Sequence, residues 1–383
     1  MNLSSPIGFL CPTKIVSGDR ALENIPNELA GLDARKPLFL LSGEAAAQGL
    51  FRVVEKALAD GEMRYGVLSG VPEEADLTHV REAALAYRDH GHDALVAVGG
   101  GAVADVAKTV NIAVSGRPED LGRFHETGAG PLKPLVIVPT LGGSGYETTR
   151  WARLGGRRWR SWGLMPKMVV VDPRMLAGDD KRGISAAGIA LVQAAEALLS
   201  APANPFLRAY AGAALAILSR HLGAFVRGEG RAKRLHALGL VNASQAASIA
   251  FANAPPGVVH CLGRVLARRW KQDPGMVMAF LLGASIEEKA RREPEAFTAV
   301  TPLSLGFGTL PTAGAEGFGA LVGTVKALAG EVLSSLGWKG PGIVPSFDDR
   351  RALAREAREE AEGGFDEEEC LRLLDVVFPA GEV

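Results

Sequence analysis

Cysteine is scarce in this chain: Cys11, Cys261 and Cys370 are the only three in 383 residues, and no Cys-x-x-Cys pair occurs. An odd, scattered set of thiols excludes a disulfide framework and a thiolate zinc site, and it fits a reducing, cytoplasmic compartment. Net charge is nearly absent too. The 42 Lys+Arg against 43 Asp+Glu leave a formal charge of -1, so composition calls for neither nucleic acid nor an anionic membrane as partner. No uninterrupted apolar run approaches the ~18 residues of a membrane span, and Met1 to Pro12 lacks a basic stretch followed by an apolar one. The chain is therefore expected to be soluble and not exported. Internal repeats of about 20 to 50 residues are also missing, which removes solenoids and propellers.

What is present is an ordinary globular composition, 47% hydrophobic and 22% charged, in a chain long enough to bury a full core without staples. From Lys36 to Pro139 short aliphatic runs alternate with helical stretches, the pattern of a parallel sheet covered on both faces. Strands are expected at Pro37 to Leu41, Met63 to Leu68, Ala94 to Val98 and Leu135 to Val138, with helices around Phe51 to Ala59, Leu77 to Tyr87 and Val103 to Ala113. A further strand is expected at Met168 to Val171, reached through an Arg-rich hairpin, Trp151 to Trp162. After Arg182 the sequence turns Ala/Leu/Arg-rich with helical apolar spacing, as in Phe206 to Phe225, Ala232 to Ala252 and Met276 to Ala290. This shift predicts two domains, an α/β domain over 1–178 and an all-helical domain over 179–383. Ser304 to Gly317 reads as a long loop, and Asp348 to Glu369 as a charge-laced exposed helix followed by an amphipathic one.

The strongest local signal is Ala94-Leu-Val-Ala-Val-Gly-Gly-Gly-Ala-Val-Ala-Asp-Val-Ala-Lys108, a buried strand running through Gly99, Gly100 and Gly101 into a helix. Side-chain-free residues at such a turn let backbone N–H groups approach a phosphate, and the helix start supplies unpaired donors and partial positive charge. The spacing is neither Gly-x-Gly-x-x-Gly nor a P-loop. Asp105 and Lys108, three apart, read most simply as an exposed ion pair. A second glycine turn, Val138-Pro-Thr-Leu-Gly-Gly-Ser-Gly-Tyr-Glu147, follows the fourth strand, where Thr140 and Ser144 can either bond a ligand or cap the next segment. Open α/β sheets bind ligands at that carboxyl edge.

The two turns, in this order, resemble those of the iron-containing (group III) alcohol dehydrogenases, in the dehydroquinate synthase-like superfamily. Gly99 to Lys108 is similar to the family's Gly-Gly-Gly-Ser-x-x-Asp-x-x-Lys, and Pro139 to Glu147 to its Pro-Thr-Thr-x-Gly-Thr-Gly-Ser-Glu. Pro12 to Leu22, Gly66 to Pro72, Met165 to Pro173, and Ala250 to Gly263 with Pro274-Gly275 resemble further family segments. The resemblance implies a nucleotide-binding α/β domain with a mostly parallel sheet, an all-α domain, and an active site in the cleft between them. It implies a dehydrogenase using NAD or NADP on a small alcohol or its aldehyde or ketone, and, from the family's habit of pairing, a homodimer. By resemblance, Gly99, Gly100, Gly101 and Asp105 contact the cofactor's phosphates and ribose, and Thr140, Leu141 and Ser144 line its adenine and nicotinamide side. Gly43 stands where NAD-preferring members carry Asp, which removes a carboxylate that would repel a 2'-phosphate; Glu44 beside it keeps the choice open, with a lean to NADP.

Family members bind a divalent metal through an Asp and a His four residues later, plus two histidines 14 residues apart. Here the first pair reads Ala190 and Ala194 in one register and Ile189 and Gln193 in the other. His260 survives from the second pair, its partner is Pro274, and an additional family histidine is Arg264. No metal is therefore expected, because even an open catalytic site needs about three protein ligands. Without a Lewis acid the developing alkoxide needs donor or cationic side chains, and His260 and Arg264, one helical turn apart, are the candidates for proton donation and oxyanion support. The Arg150 to Arg160 run reads as a solvated hairpin or an anion clamp, and Trp151, Trp159 and Trp162 as core packing or a cleft wall. The alternative left open is a catalytically inactive relative that binds nucleotide or a protein partner in a regulatory or assembly role.

Overall fold

The computed structural model describes residues 7–61, 63–116, 121, 131–140, 145–176, 178–200, 204–294, 315–341, 344–361 and 364–379. They form two compact units, residues 11–179 and residues 180–383, with residues 7–10 joined to the second.

The first unit is built on a six-stranded sheet of β1 (Lys14–Ser17), β2 (Pro37–Ser42), β3 (Gly66–Val71), β4 (Ala94–Gly99), β5 (Leu135–Pro139) and β8 (Met168–Val171). Its order is β1-β8-β5-β4-β2-β3 and every recorded pairing is parallel. Strands β4, β5 and β8 are buried at every position, which is why they read as continuous Val, Ile, Leu and Ala runs rather than alternating ones. The edge strands β1 and β3 keep exposed positions. Helices α1 (Ile25–Ala30), α2 (Gly43–Ala47), α3 (Phe51–Leu58), α4 (Leu77–Asp89) and α5 (Gly101–Ser115) provide the connections. Strand β3 begins at Gly66, three residues later than Met63; the apolar run there is too mixed to fix its start.

A two-stranded antiparallel hairpin, β6 (Trp151–Leu154) and β7 (Arg157–Arg160), precedes β8. Gly155 and Gly156 make its turn with φ of +54° and +75°, the double left-handed geometry that hairpin twist demands. Trp159 is buried, and its Nε1 donates to Leu121 O at 2.7 Å. Arg150 does not stand free in solvent: its guanidinium lies 5.1 Å from the Trp151 ring centroid and 4.6 Å from that of Trp162.

The second unit is helical among its described residues: α6 (Asp180–Ser200), α7 (Pro205–Arg227), α8 (Gly230–Ala252), α9 (Val258–Trp270), α10 (Pro274–Arg292), α11 (Ala315–Leu336), α12 (Phe347–Ala361) and α13 (Glu367–Val377). Asn204 and Asp273 cap α7 and α10, each followed by Pro at the first helical position, where the missing N–H costs nothing. Among the described residues three helices are long and apolar enough to cross a membrane by length and composition; in α6 that stretch is 94% buried inside the protein, as a core helix is. Helices α6 and α10 meet through glycines, since a Cβ on Gly275 would lie 1.9 Å from Ser185 O and one on Gly188 2.6 Å from Gly275 O. The charge-laced helix ends at Ala361, short of Glu369, and the amphipathic helix after it starts at Glu367, capped by Asp366. Residues 304–314 of the expected loop lie outside the described residues, and α11 already begins at Ala315. Leu10 exchanges hydrogen bonds with the Asn253 side chain at 2.8 and 3.0 Å, which binds the N-terminal segment to the helical unit.

Candidate functional site

In the sheet order, β2 has β3 on one side and β4 on the other. The chain leaves β2 toward the outer edge at β3, then returns past it to β4 and continues to β5. The carboxyl ends of β2 and β4 are thus a point of topological reversal, where open α/β sheets bind ligands. Ser42-Gly43 and Gly99-Gly100-Gly101 emerge there side by side.

Gly99 closes β4 with φ +147°, and a Cβ on it would lie 2.6 Å from Ser42 Oγ, 2.7 Å from Ser42 Cβ and 2.8 Å from Val103 Cγ1. Only a glycine lets the two strand ends approach so closely. Gly100 is the N-cap of α5 with no side-chain cap, and no acidic residue occupies the helix's first turn. A Cβ on Gly100 would meet nothing within 4 Å. Among the described residues, nothing therefore fills the place of a side chain at Gly100, beside the helix start and the positive end of its dipole. Gly43 starts α2, whose cap is Ser42: its Oγ accepts from Ala45 N–H at 3.1 Å. Thr140 is buried, and its N–H donates to Gly99 O at 3.3 Å, tying the second glycine turn to the first. The structure thus brings together Gly43, Gly99, Gly100, Gly101 and Thr140, with half-buried Asp105 one turn into α5. Leu141 and Ser144 lie outside the described residues.

Lys108 corrects the sequence reading. It is not half of an exposed ion pair but fully buried, and its Nζ donates to Tyr146 O at 2.8 Å, Thr149 O at 2.9 Å and Trp151 O at 3.1 Å. Burial lowers its pKa to about 8, while Asp105 and Glu147 act in the opposite sense. Ser42, Lys108 and Glu147 are site neighbours that sequence reasoning did not select.

His260 and Arg264 belong to the helical unit, on α9. The His260 ring is buried, 4.5 Å from the Phe251 ring centroid, and Arg264 Nε lies 3.4 Å from Glu360 Oε2 on α12. Glu196, also missed from sequence, accepts from the N–H of Val259 at 2.7 Å and of His260 at 3.1 Å. It caps α9 from α6. Burial raises its pKa to about 7, against the lowering effect of those N–H groups.

The residues at the family's metal positions do not fit a bound iron or zinc. In one register the first pair is Ala190 and Ala194 and in the other Ile189 and Gln193, all four buried and none a carboxylate or imidazole, and Pro274 has no ligating atom in its side chain. Among the described residues no three His, Cys, Asp or Glu side chains form a group able to hold a metal ion, and one imidazole falls short of the ~3 protein ligands a catalytic site uses.

Comparison with known proteins agrees with this architecture. The sequence profile of iron-containing alcohol dehydrogenases matches residues 12–173. The chain is 30% identical to the 1,3-propanediol dehydrogenase of Citrobacter freundii over 300 residues, covering 76% of this chain and 77% of that protein. It is 26% identical to the NAD-dependent methanol dehydrogenase of Bacillus methanolicus over 279 residues, covering 70% and 72%. A crystal structure of 1,3-propanediol oxidoreductase superposes with a TM-score of 0.82 at 23% identity, covering 98% of this chain and 100% of that one. The alcohol dehydrogenase from Oenococcus oeni gives 0.80 at 21% identity, covering 97% and 100%. From the glycine turns, the six-stranded parallel sheet and these relatives it follows that the chain belongs to the iron-containing alcohol dehydrogenase family.

Proposed function

We propose that this family member is an NAD(P)-dependent oxidoreductase, leaning to NADP, that interconverts a small alcohol and its aldehyde or ketone without a resident metal. The observation that carries the reading is the start of α5: a glycine N-cap without a side-chain cap, no acidic first-turn residue and, among the described residues, nothing within 4 Å of where a Gly100 Cβ would stand. That is a cradle for a diphosphate. A bound nicotinamide supplies a hydride acceptor or donor at its C4 carbon. Gly99, Gly100 and Gly101 hold the diphosphate, Asp105 and Thr140 orient the cofactor, and Thr140, Leu141 and Ser144 line its adenine and nicotinamide side. Gly43, directly after β2, presents no carboxylate of its own to a 2'-phosphate, although Glu44 stands beside it.

For the proton and the oxyanion we assign His260 and Arg264. In the reducing direction the carbonyl oxygen would take the imidazole's proton, and the guanidinium would offset negative charge developing on that oxygen. What supports metal independence is the donor set, in which neither register of the first pair offers a carboxylate or an imidazole and Pro274 replaces a histidine. The test is the rate of NADPH and NADH oxidation over a panel of small aldehydes and ketones, before and after prolonged chelation, with metal analysis of the same sample. Turnover that survives chelation, with NADPH the better cofactor, is expected. One tightly held iron or zinc per chain, with activity lost on its removal, would overturn the metal-free reading; His260→Ala retaining full turnover would overturn the assigned proton donor.

A further inference from the structure

Lys108 has no part in the function proposed above. It sits midway along α5 with no solvent exposure, and a buried cation persists only where its surroundings compensate it. Its ammonium has three donors. They meet three carbonyls, those of Tyr146, Thr149 and Trp151, all in the segment running from the second glycine turn into β6. A neutral amine would leave one of those carbonyls facing a lone pair. The charged groups bearing on the ammonium are Asp105, one turn earlier on α5, and buried Glu147 in the segment it clamps.

Lys108 stands seven positions after Gly101, about 10 Å along the helix axis at ~1.5 Å per residue. Through protein rather than water, a charge at that range still acts on a diphosphate. Without the lysine, one positive charge facing Asp105, Glu147 and the anion is lost.

We propose that Lys108 is a positioning residue for the dinucleotide: its charge offsets Asp105 and Glu147 behind the diphosphate cradle, and its three hydrogen bonds hold the 146–151 segment in place. The proposal rests on the reading of Gly99 to Gly101 as that cradle. The depressed pKa of about 8 makes the charge titratable in an accessible range. A bound diphosphate favours the protonated lysine, so affinity is full below pH 8 and declines as the ammonium is lost above it. Stability runs the other way. A lysine whose folded pKa lies below its unfolded value destabilises the fold while charged and ceases to as pH rises past 8, so weaker binding at alkaline pH cannot be ascribed to unfolding.

The experiment is calorimetric titration with NADPH from pH 7 to 9.5 of the full chain, Lys108→Met and Lys108→Arg, with thermal midpoints recorded alongside. Wild type is expected to lose about tenfold in affinity across pH 8, the scale set by one charge at this distance. Lys108→Met is expected to bind about tenfold more weakly at pH 7 without the bend, and Lys108→Arg to bind without the bend. A flat wild-type profile, or Lys108→Met matching wild type in both affinity and profile, overturns the proposal. If Lys108→Met does not fold, the wild-type profile against Lys108→Arg decides. Folded wild type that binds no NADPH at any pH refutes the cradle reading. The clamp is then judged alone by amide exchange over 146–151, faster in Lys108→Met if the proposal holds and unchanged if it does not.

Discussion

Gly100→Ala separates the fold of the cradle from its use. Gly100 has φ −92° and ψ −157°, open to any residue, and its added methyl would touch nothing within 4 Å. The substitution removes backbone freedom from the unfolded chain, which stabilises by ~0.4–1 kcal/mol, and replaces a tolerated N-cap by a poorer one, which costs up to about 1 kcal/mol. These nearly cancel, so folding stability should stay within about 1 kcal/mol of wild type. The methyl nevertheless stands in the space before the helix start, where a diphosphate must come within hydrogen-bond reach of the main chain. Losing one charge-assisted hydrogen bond is worth ~1.5–3 kcal/mol, which converts to about ten- to hundredfold in affinity. Gly99→Ala is the contrast, because its Cβ would lie 2.6–2.8 Å from Ser42 and Val103 at φ +147°. Backbone strain of ~1–3 kcal/mol adds to that overlap, and the fold itself should suffer. Denaturant unfolding without cofactor, paired with quenching of protein fluorescence by NADPH, reads both quantities. Gly100→Ala binding NADPH as tightly as wild type would refute the placement of the diphosphate.

Two further outcomes concern the helical unit. Gly275→Ala should destabilise it by about 3 kcal/mol or more, because the new Cβ would meet backbone atoms of Ser185 at 1.9–2.7 Å; chemical denaturation followed by circular dichroism measures this, and an unchanged midpoint would contradict the close crossing of α6 and α10. Glu196 carries a pKa raised to about 7 by burial, so its contribution is full below its unfolded value near 4.5 and is lost as pH rises to 7. Glu196→Gln should flatten a decline in stability on the order of 3 kcal/mol over that window; an identical decline in the variant would show that another group causes it.

The parallel sheet was legible because its central strands are buried on both faces and hence written as unbroken aliphatic runs. The hairpin was legible in Gly155-Gly156 between two Arg/Trp stretches. Burial of charge was not. Lys108 three residues after Asp105 has the spacing of a surface ion pair, and only the packing of α5 on the sheet and on the 146–151 segment reveals it as an internal clamp. The sequence did hold a signal: Val103, Ala104, Val106, Ala107 and Val110 leave α5 almost no polar face, and a helix apolar all round is a buried one. Glu196 gave a similar signal, a single carboxylate in the apolar run Ile189 to Leu199. The pairing of Leu10 with Asn253 joins residues 243 apart, a separation that local patterning cannot bridge.

The most direct measurement is the crystal structure of the chain with NADPH bound. The expected result is a diphosphate whose oxygens accept hydrogen bonds from the main-chain N–H groups at the start of α5, in front of Gly100. A dinucleotide bound elsewhere, with that helix start left facing solvent, would contradict the assignment.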